Sequence, residues 1–149
     1  MAMDMKKVLL VEDNEDDIDL TLLSFRNNRI ANEVIVARDG VEALDYLYGT
    51  GKHTGRDISV QPAVVFLDIN LPKVNGLEVL KRLRGDPRTR RLPIVILTSS
   101  VEERDLVASY DLGVNSYIRK PVDLEQFNEA VKQLGMYWIL LNELPGKPC

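Results

Sequence analysis

The stretch Ala63-Val64-Val65-Phe66-Leu67, followed at once by Asp68, decides the fold. An unbroken apolar run with no polar alternation, too short for a helix and rich in β-branched and aromatic residues, reads as a strand covered on both faces. Such strands belong to parallel sheets, whose crossovers place helices on either side. Working outward, Lys7 to Val11, Val34 to Ala37 and Pro93 to Leu97 read as further strands, and Ser116 to Ile118 begins a fifth. Helical periods separate them. From Asp16 to Asn27, Ile18, Leu22 and Phe25 share one face with Leu20 and Leu23 beside it, and Asn14 or Glu15 stands at the N-cap. Val41 to Tyr48 forms a short helix with Val41, Leu44 and Tyr48 on one side. Leu77, Leu80 and Leu83 mark a helix ending near Gly85, with Pro87 as its stop. Glu102 to Leu112 places Leu106, Val107 and Tyr110 inward and closes at Gly113; a last helix begins after Pro121. Five strands alternating with five helices predict an α/β, doubly wound parallel sheet with right-handed crossovers.

A chain of 149 residues accommodates one core and leaves no room for a second domain of ordinary size. A net charge of −4 disfavours non-specific binding to nucleic acid or to anionic membranes. The longest apolar runs fall far short of the roughly 20 residues of a membrane span, and nothing before Val8 resembles a signal peptide. The sole cysteine, Cys149, precludes an intramolecular disulfide. These features lead to the expectation of a cytoplasmic protein. His53, flanked by Gly51 and Gly55, reads as a loop residue rather than a metal ligand. The segment Gly49–Pro62 is long for a connection; it is either a tolerated surface insertion or a loop that contacts a partner.

In open parallel sheets ligands bind beyond the carboxyl ends of the strands. Glu12 and Asp13 follow the first strand, Asp68 ends the third with Asn70 two residues on, Thr98 ends the fourth before Ser99 and Ser100, and Lys120 ends the fifth. Three carboxylates in one cleft repel one another unless a cation intervenes. Hard oxygen donors without Cys or His point to Mg²⁺. The expected ligands are Asp13, Asp68 and the backbone carbonyl of Asn70, with Glu12 direct or through water. Asp68 then serves as a nucleophile on phosphorus, with Lys120, Thr98 and the cation neutralising the phosphoryl oxygens.

The segments Val8-Leu9-Leu10-Val11-Glu12-Asp13, Val65 to Pro72 with Gly76, Ile94 to Ser99, and Gly113 through Tyr117 to Lys120-Pro121 closely resemble a response-regulator receiver domain, over Lys6 to about Leu134. The resemblance implies a flavodoxin-like sheet of strand order 2-1-3-4-5. It implies Asp68 as phosphoacceptor, Glu12 and Asp13 as the acidic pair, Thr98 and Lys120 as phosphate readers, and Tyr117 as an aromatic switch that turns inward when Thr98 is drawn to the phosphate. It also implies a cis Lys120–Pro121 bond and a sensor histidine kinase as phosphodonor.

The expected division is a receiver domain, residues 1–135, and a C-terminal extension, 136–149, with no output domain. Leu124, Phe127, Val131, Leu134, Trp138 and Leu141 follow a heptad-like stripe longer than a sheet-covering helix needs. Its end, with Tyr137, is expected to pair with a second copy, giving a homodimer through Leu134, Tyr137, Trp138 and Leu141. The long loop and this tail resemble the small regulators paired with bacterial phytochrome histidine kinases. Three other readings compete: a phosphorelay intermediate, a phosphate-independent adaptor, and a phosphohydrolase of the haloacid-dehalogenase type. The last wants a second Asp two residues beyond its nucleophile, where this chain has Asn70.

Overall fold

The structure is a computed structural model that describes residues 6–27, 32–98 and 111–120, together with residues 108 and 125. Its elements run β1 (Val8–Val11), α1 (Glu15–Asn27), β2 (Val34–Ala37), α2 (Gly40–Tyr48), a 3-10 turn (Gly51–His53), β3 (Val64–Asp68), α3 (Gly76–Gly85), β4 (Ile94–Thr98) and β5 (Ser116–Arg119). The strands form one parallel sheet in the order β2-β1-β3-β4-β5. This is the expected flavodoxin-like arrangement. The helix expected over Glu102–Leu112, the helix after Pro121, and Ser99, Ser100, Pro121, Leu134, Tyr137, Trp138 and Leu141 lie outside the described residues, apart from positions 108, 111 and 112 of the first helix and 125 of the second.

Alternate strand residues point to opposite faces, and the sheet divides its side chains accordingly. Leu9, Val11, Val65, Leu67, Ile94 and Ile96 face α2 and α3, packing with Leu44, Leu47, Val79, Leu80 and Leu83. Val8, Leu10, Val64, Phe66, Val95, Leu97 and Ile118 face α1, where Ile18 and Phe25 close the other core. The Phe25 and Phe66 rings meet at 5.0 Å. Every residue of β1 and β3 is buried, so the unbroken apolar run at Val64 follows from its place inside a two-sided sheet.

The helical stripes differ in detail from the sequence pattern. Leu20 is 55% and Leu23 44% exposed, whereas Thr21 is buried between Ile18 and Phe25. Position 21 lies three residues after Ile18 and four before Phe25, on the sheet-facing line, so geometry rather than hydropathy selects it. Val41 is likewise exposed, and α2 buries the expected Leu44 together with Ala43, Tyr46 and Leu47. Asn14 is the N-cap of α1, its Oδ1 accepting from the Asp17 N–H at 3.0 Å. Asp39 caps α2 by accepting from the Glu42 N–H, and Gly49, at φ 66°, ends that helix in the left-handed region.

The segment Gly49–Pro62 is not a loose insertion. Arg56 lies against α2, its guanidinium 4.1 Å from the Tyr46 ring centroid. Its nitrogens donate to the carbonyls of Tyr46 (2.5 Å) and Val60 (2.8 Å) and to Gln61 Oε1 (2.9 Å). Gln61 in turn donates to the Leu47 carbonyl. His53 meets Tyr46 edge-on at 5.2 Å, and its Nε2 lies 3.9 Å from Glu42.

Candidate functional site at the carboxyl edge of the sheet

The parallel register brings the ends of β1, β3, β4 and β5 to one rim. Glu12 follows β1 and is 1% exposed; Asp68 closes β3 and is 4% exposed; Asp13 is open to solvent. Oxygens of these three carboxylates all lie within 4.8 Å of one another. Lys120, one residue beyond β5, sends its ammonium into the cluster. Its Nζ donates to Glu12 Oε1, to Asp68 Oδ2 at 3.1 Å and to Asp17 Oδ2 at 2.9 Å. The Lys120 side chain is 10% exposed, so this is a largely desolvated cation among carboxylates.

Backbone geometry fixes the two buried acids. The Asn14 N–H donates to Glu12 Oε2 at 3.3 Å and the Asn70 N–H to Asp68 Oδ1 at 3.2 Å. Gly76 holds the turn after β3: its N–H donates to the Ile69 carbonyl at 2.8 Å. A β-carbon there would sit 2.1 Å from the Asp68 carbonyl oxygen and 2.7 Å from the Ile69 α-carbon. Only glycine lets α3 begin so close to the phosphoacceptor candidate.

The electrostatics follow from burial and crowding. Burial pushes the Glu12 carboxyl up to about 7; the hydrogen bond from Lys120 opposes the rise and the Asp68 charge adds to it. Burial works against the Lys120 ammonium, but its bonds to Glu12 and Asp17 and the Asp68 charge outweigh this and hold it above the usual lysine range. The cluster carries more negative charge than one ammonium cancels. Its all-oxygen donor set fits a hard divalent cation beside Lys120.

Thr98 ends β4 in register with Arg119, next to Lys120, as expected; its side chain is outside the description. Asn70 is exposed on the turn after Asp68. Tyr117 is half-buried and packs on the core shared with α2 and α3, rather than lying exposed. Asp17 is a site residue that the sequence does not reveal, because an acid in the first turn of a helix is ordinarily a partner of the helix dipole. The missed signal is geometric. A helix that starts three residues beyond β1, after the Asn14 cap, presents its third residue to the same rim.

The sequence profile of the response regulator receiver domain matches residues 8–132. The chain belongs to this family. Receiver domains bind a divalent metal and act as switches phosphorylated by a kinase on an aspartate. Among relatives, the response regulator Rcp1 of Synechocystis sp. is 36% identical over 141 residues, covering 95% of this chain and 94% of the relative. The solved structure of Rcp1 in its Mn²⁺-bound form matches with a TM-score of 0.75 over 94% of this chain and 99% of that one. The bacteriophytochrome response regulator AtBRR is 53% identical, with a TM-score of 0.84 over 95% of this chain and 100% of that chain. The phosphorylated cyanobacterial phytochrome response regulator RcpA is 41% identical, with a TM-score of 0.75 over 91% and 94%. The receiver fold and the resemblance to phytochrome-paired regulators, both expected from the sequence, are thereby borne out. No helix among the described residues is long and apolar enough to cross a membrane.

Proposed function

We propose that this receiver accepts a phosphoryl group on Asp68, in a reaction that requires Mg²⁺, from a phosphohistidine of a phytochrome-type sensor kinase. The observation that carries the reading is the buried Asp68 carboxylate held 3.1 Å from the Lys120 ammonium, beside Glu12 and Asp13. An Asp68 oxygen attacks phosphorus, the P–N bond to the kinase imidazole breaks, and the freed nitrogen keeps the electron pair and takes a proton. The site residues position the acceptor and neutralise the equatorial oxygens, which is most of what phosphoryl transfer demands. Lys120 supplies a compact charge on a long stem and can follow the phosphoryl group. Asp13, Asp68, Glu12 and the Asn70 carbonyl are the residues that would hold Mg²⁺. When bound, the ion supplies charge neutralisation beyond what Lys120 provides. Thr98 and Tyr117 would transmit the charged state. The manganese-bound and phosphorylated relatives support metal binding and phosphorylation by similarity.

Intact-mass measurement after incubation with acetyl phosphate tests the reading. One added phosphoryl group is expected with Mg²⁺, none with chelator, and none in Asp68→Ala. Addition that persists in Asp68→Ala would overturn the assignment. The heptad-like stripe ending at Leu141 supports a two-fold dimer. Truncation after Gly135 is expected to give a monomer by light scattering, and a persistent dimer would refute that arm.

A further inference from the structure

α1 opens with three acids, Glu15, Asp16 and Asp17. Glu15 pairs with Arg38 across the surface, and Asp16 is exposed. Asp17 alone reaches inward, because Asn14 fixes the helix start and so places the third residue over the rim. Its Oδ2 accepts from Lys120 Nζ at 2.9 Å, a shorter contact than the 3.1 Å from the same nitrogen to Asp68. The ammonium is therefore shared between the phosphoacceptor and a carboxylate that has no place among the cation ligands.

We propose that Asp17 is a positioning residue for the reaction at Asp68, holding the Lys120 ammonium in competition with the incoming phosphoryl group. The inference rests on the proposed phosphorylation of Asp68. An ammonium has three donors, and here Glu12, Asp17 and Asp68 engage it. A phosphoryl group on Asp68 draws Lys120 toward its own oxygens, and the 2.9 Å contact to Asp17 pulls the same ammonium the other way. The competition acts in one direction: Asp17 slows charging and weakens the charged state. Its side chain is 35% exposed, so solvent screens the effect to a modest factor.

The test compares Asp17→Asn, Asp16→Asn and wild type, each with Mg²⁺, in the rate of phosphorylation by acetyl phosphate and the affinity for beryllofluoride, a stable phosphoryl mimic. Asp17→Asn keeps the side-chain shape and removes the charge. It is expected to raise both quantities about fivefold, the size of one partly exposed charge-assisted contact. Asp16→Asn removes the same charge one residue away and is expected to change neither. In a Lys120→Met background, Asp17→Asn is expected to lose its effect on beryllofluoride affinity, which a merely structural role in α1 would not produce. Equal effects of Asp16→Asn and Asp17→Asn, or an Asp17→Asn effect that survives without Lys120, would overturn the proposal. So would no change in Asp17→Asn while wild type charges normally. Failure of wild type to charge at all would instead strike the phosphorylation of Asp68, and this inference with it.

Discussion

Two cations sit at opposite kinds of place in this molecule. Arg56 is surrounded by carbonyl oxygens and a side-chain amide: it donates to Tyr46, Val60 and Gln61 and stacks on the Tyr46 ring. Lys120 is surrounded by carboxylates, of Glu12, Asp17 and Asp68. Neutral acceptors on fixed backbone suit a planar, rigid fork of donors, and the result is a permanent tie between a loop and a helix. Arg84 repeats the device, donating to the carbonyls of Arg90, Leu92 and Gly113. Carboxylates around a flexible ammonium make a different object. They leave excess negative charge, which another cation can share, and a point charge that can be drawn to a new anion. The same positive charge fastens one region and keeps the other exchangeable, and the difference lies in the acceptors and the shape of the donor.

If that contrast is right, replacing each cation has a different signature. The largest effect is expected for Lys120→Met. It leaves buried carboxylates without their counter-charge, which costs about 3–5 kcal/mol when one partner of a buried pair is removed. Urea denaturation should find this loss in chelator and find most of it restored by Mg²⁺. Next comes Gly76→Ala, where the 2.1 Å approach to the Asp68 carbonyl forces the β3–α3 turn to shift. A loss of about 3 kcal/mol is expected by the same assay, with slower charging by acetyl phosphate. Arg56→Ala removes several hydrogen bonds and a stacked contact, for about 2 kcal/mol. Here Mg²⁺ should restore nothing beyond its effect on wild type, and the charging rate should be unchanged. A magnesium rescue of Arg56→Ala would break the comparison.

The smallest effect is at Asp39, the N-cap of α2. Asp39→Ala should cost about 1 kcal/mol at neutral pH. Burial alone would raise the Asp39 carboxyl, but the Glu42 N–H and Lys73 outweigh it and hold it below its ordinary value of 3.8. The charged cap therefore contributes fully above that value and is lost as pH falls through the lowered folded pKa. The gap between wild type and Asp39→Ala should narrow below about pH 3.8 in denaturation curves.

Much of this was legible in the sequence, for identifiable reasons. Buried strands such as Val64–Asp68 announce themselves because nothing polar fits on either face. The rim residues Glu12, Asp13, Asp68 and Lys120 were legible because parallel topology sends every strand's carboxyl end to one side. The helices were less transparent. Thr21 is buried and Leu20 exposed because the direction of α1 over the sheet, not hydropathy, chooses the inward line. The order within Gly49–Pro62 was hidden because Arg56 acts on carbonyls, which carry no sequence signature. Asp17 was hidden because an acid in a first helical turn has an ordinary explanation, and only the distance to Lys120 displaces it.

The claim that Lys120 occupies a cluster built to share its carboxylates with a second cation is tested most directly by calorimetric titration of Mg²⁺ into wild type and Lys120→Met. Removal of a competing positive charge predicts tighter Mg²⁺ binding in the variant, by about tenfold for a charge this close. Binding that is weaker in Lys120→Met, or unchanged, in a folded protein would contradict the account.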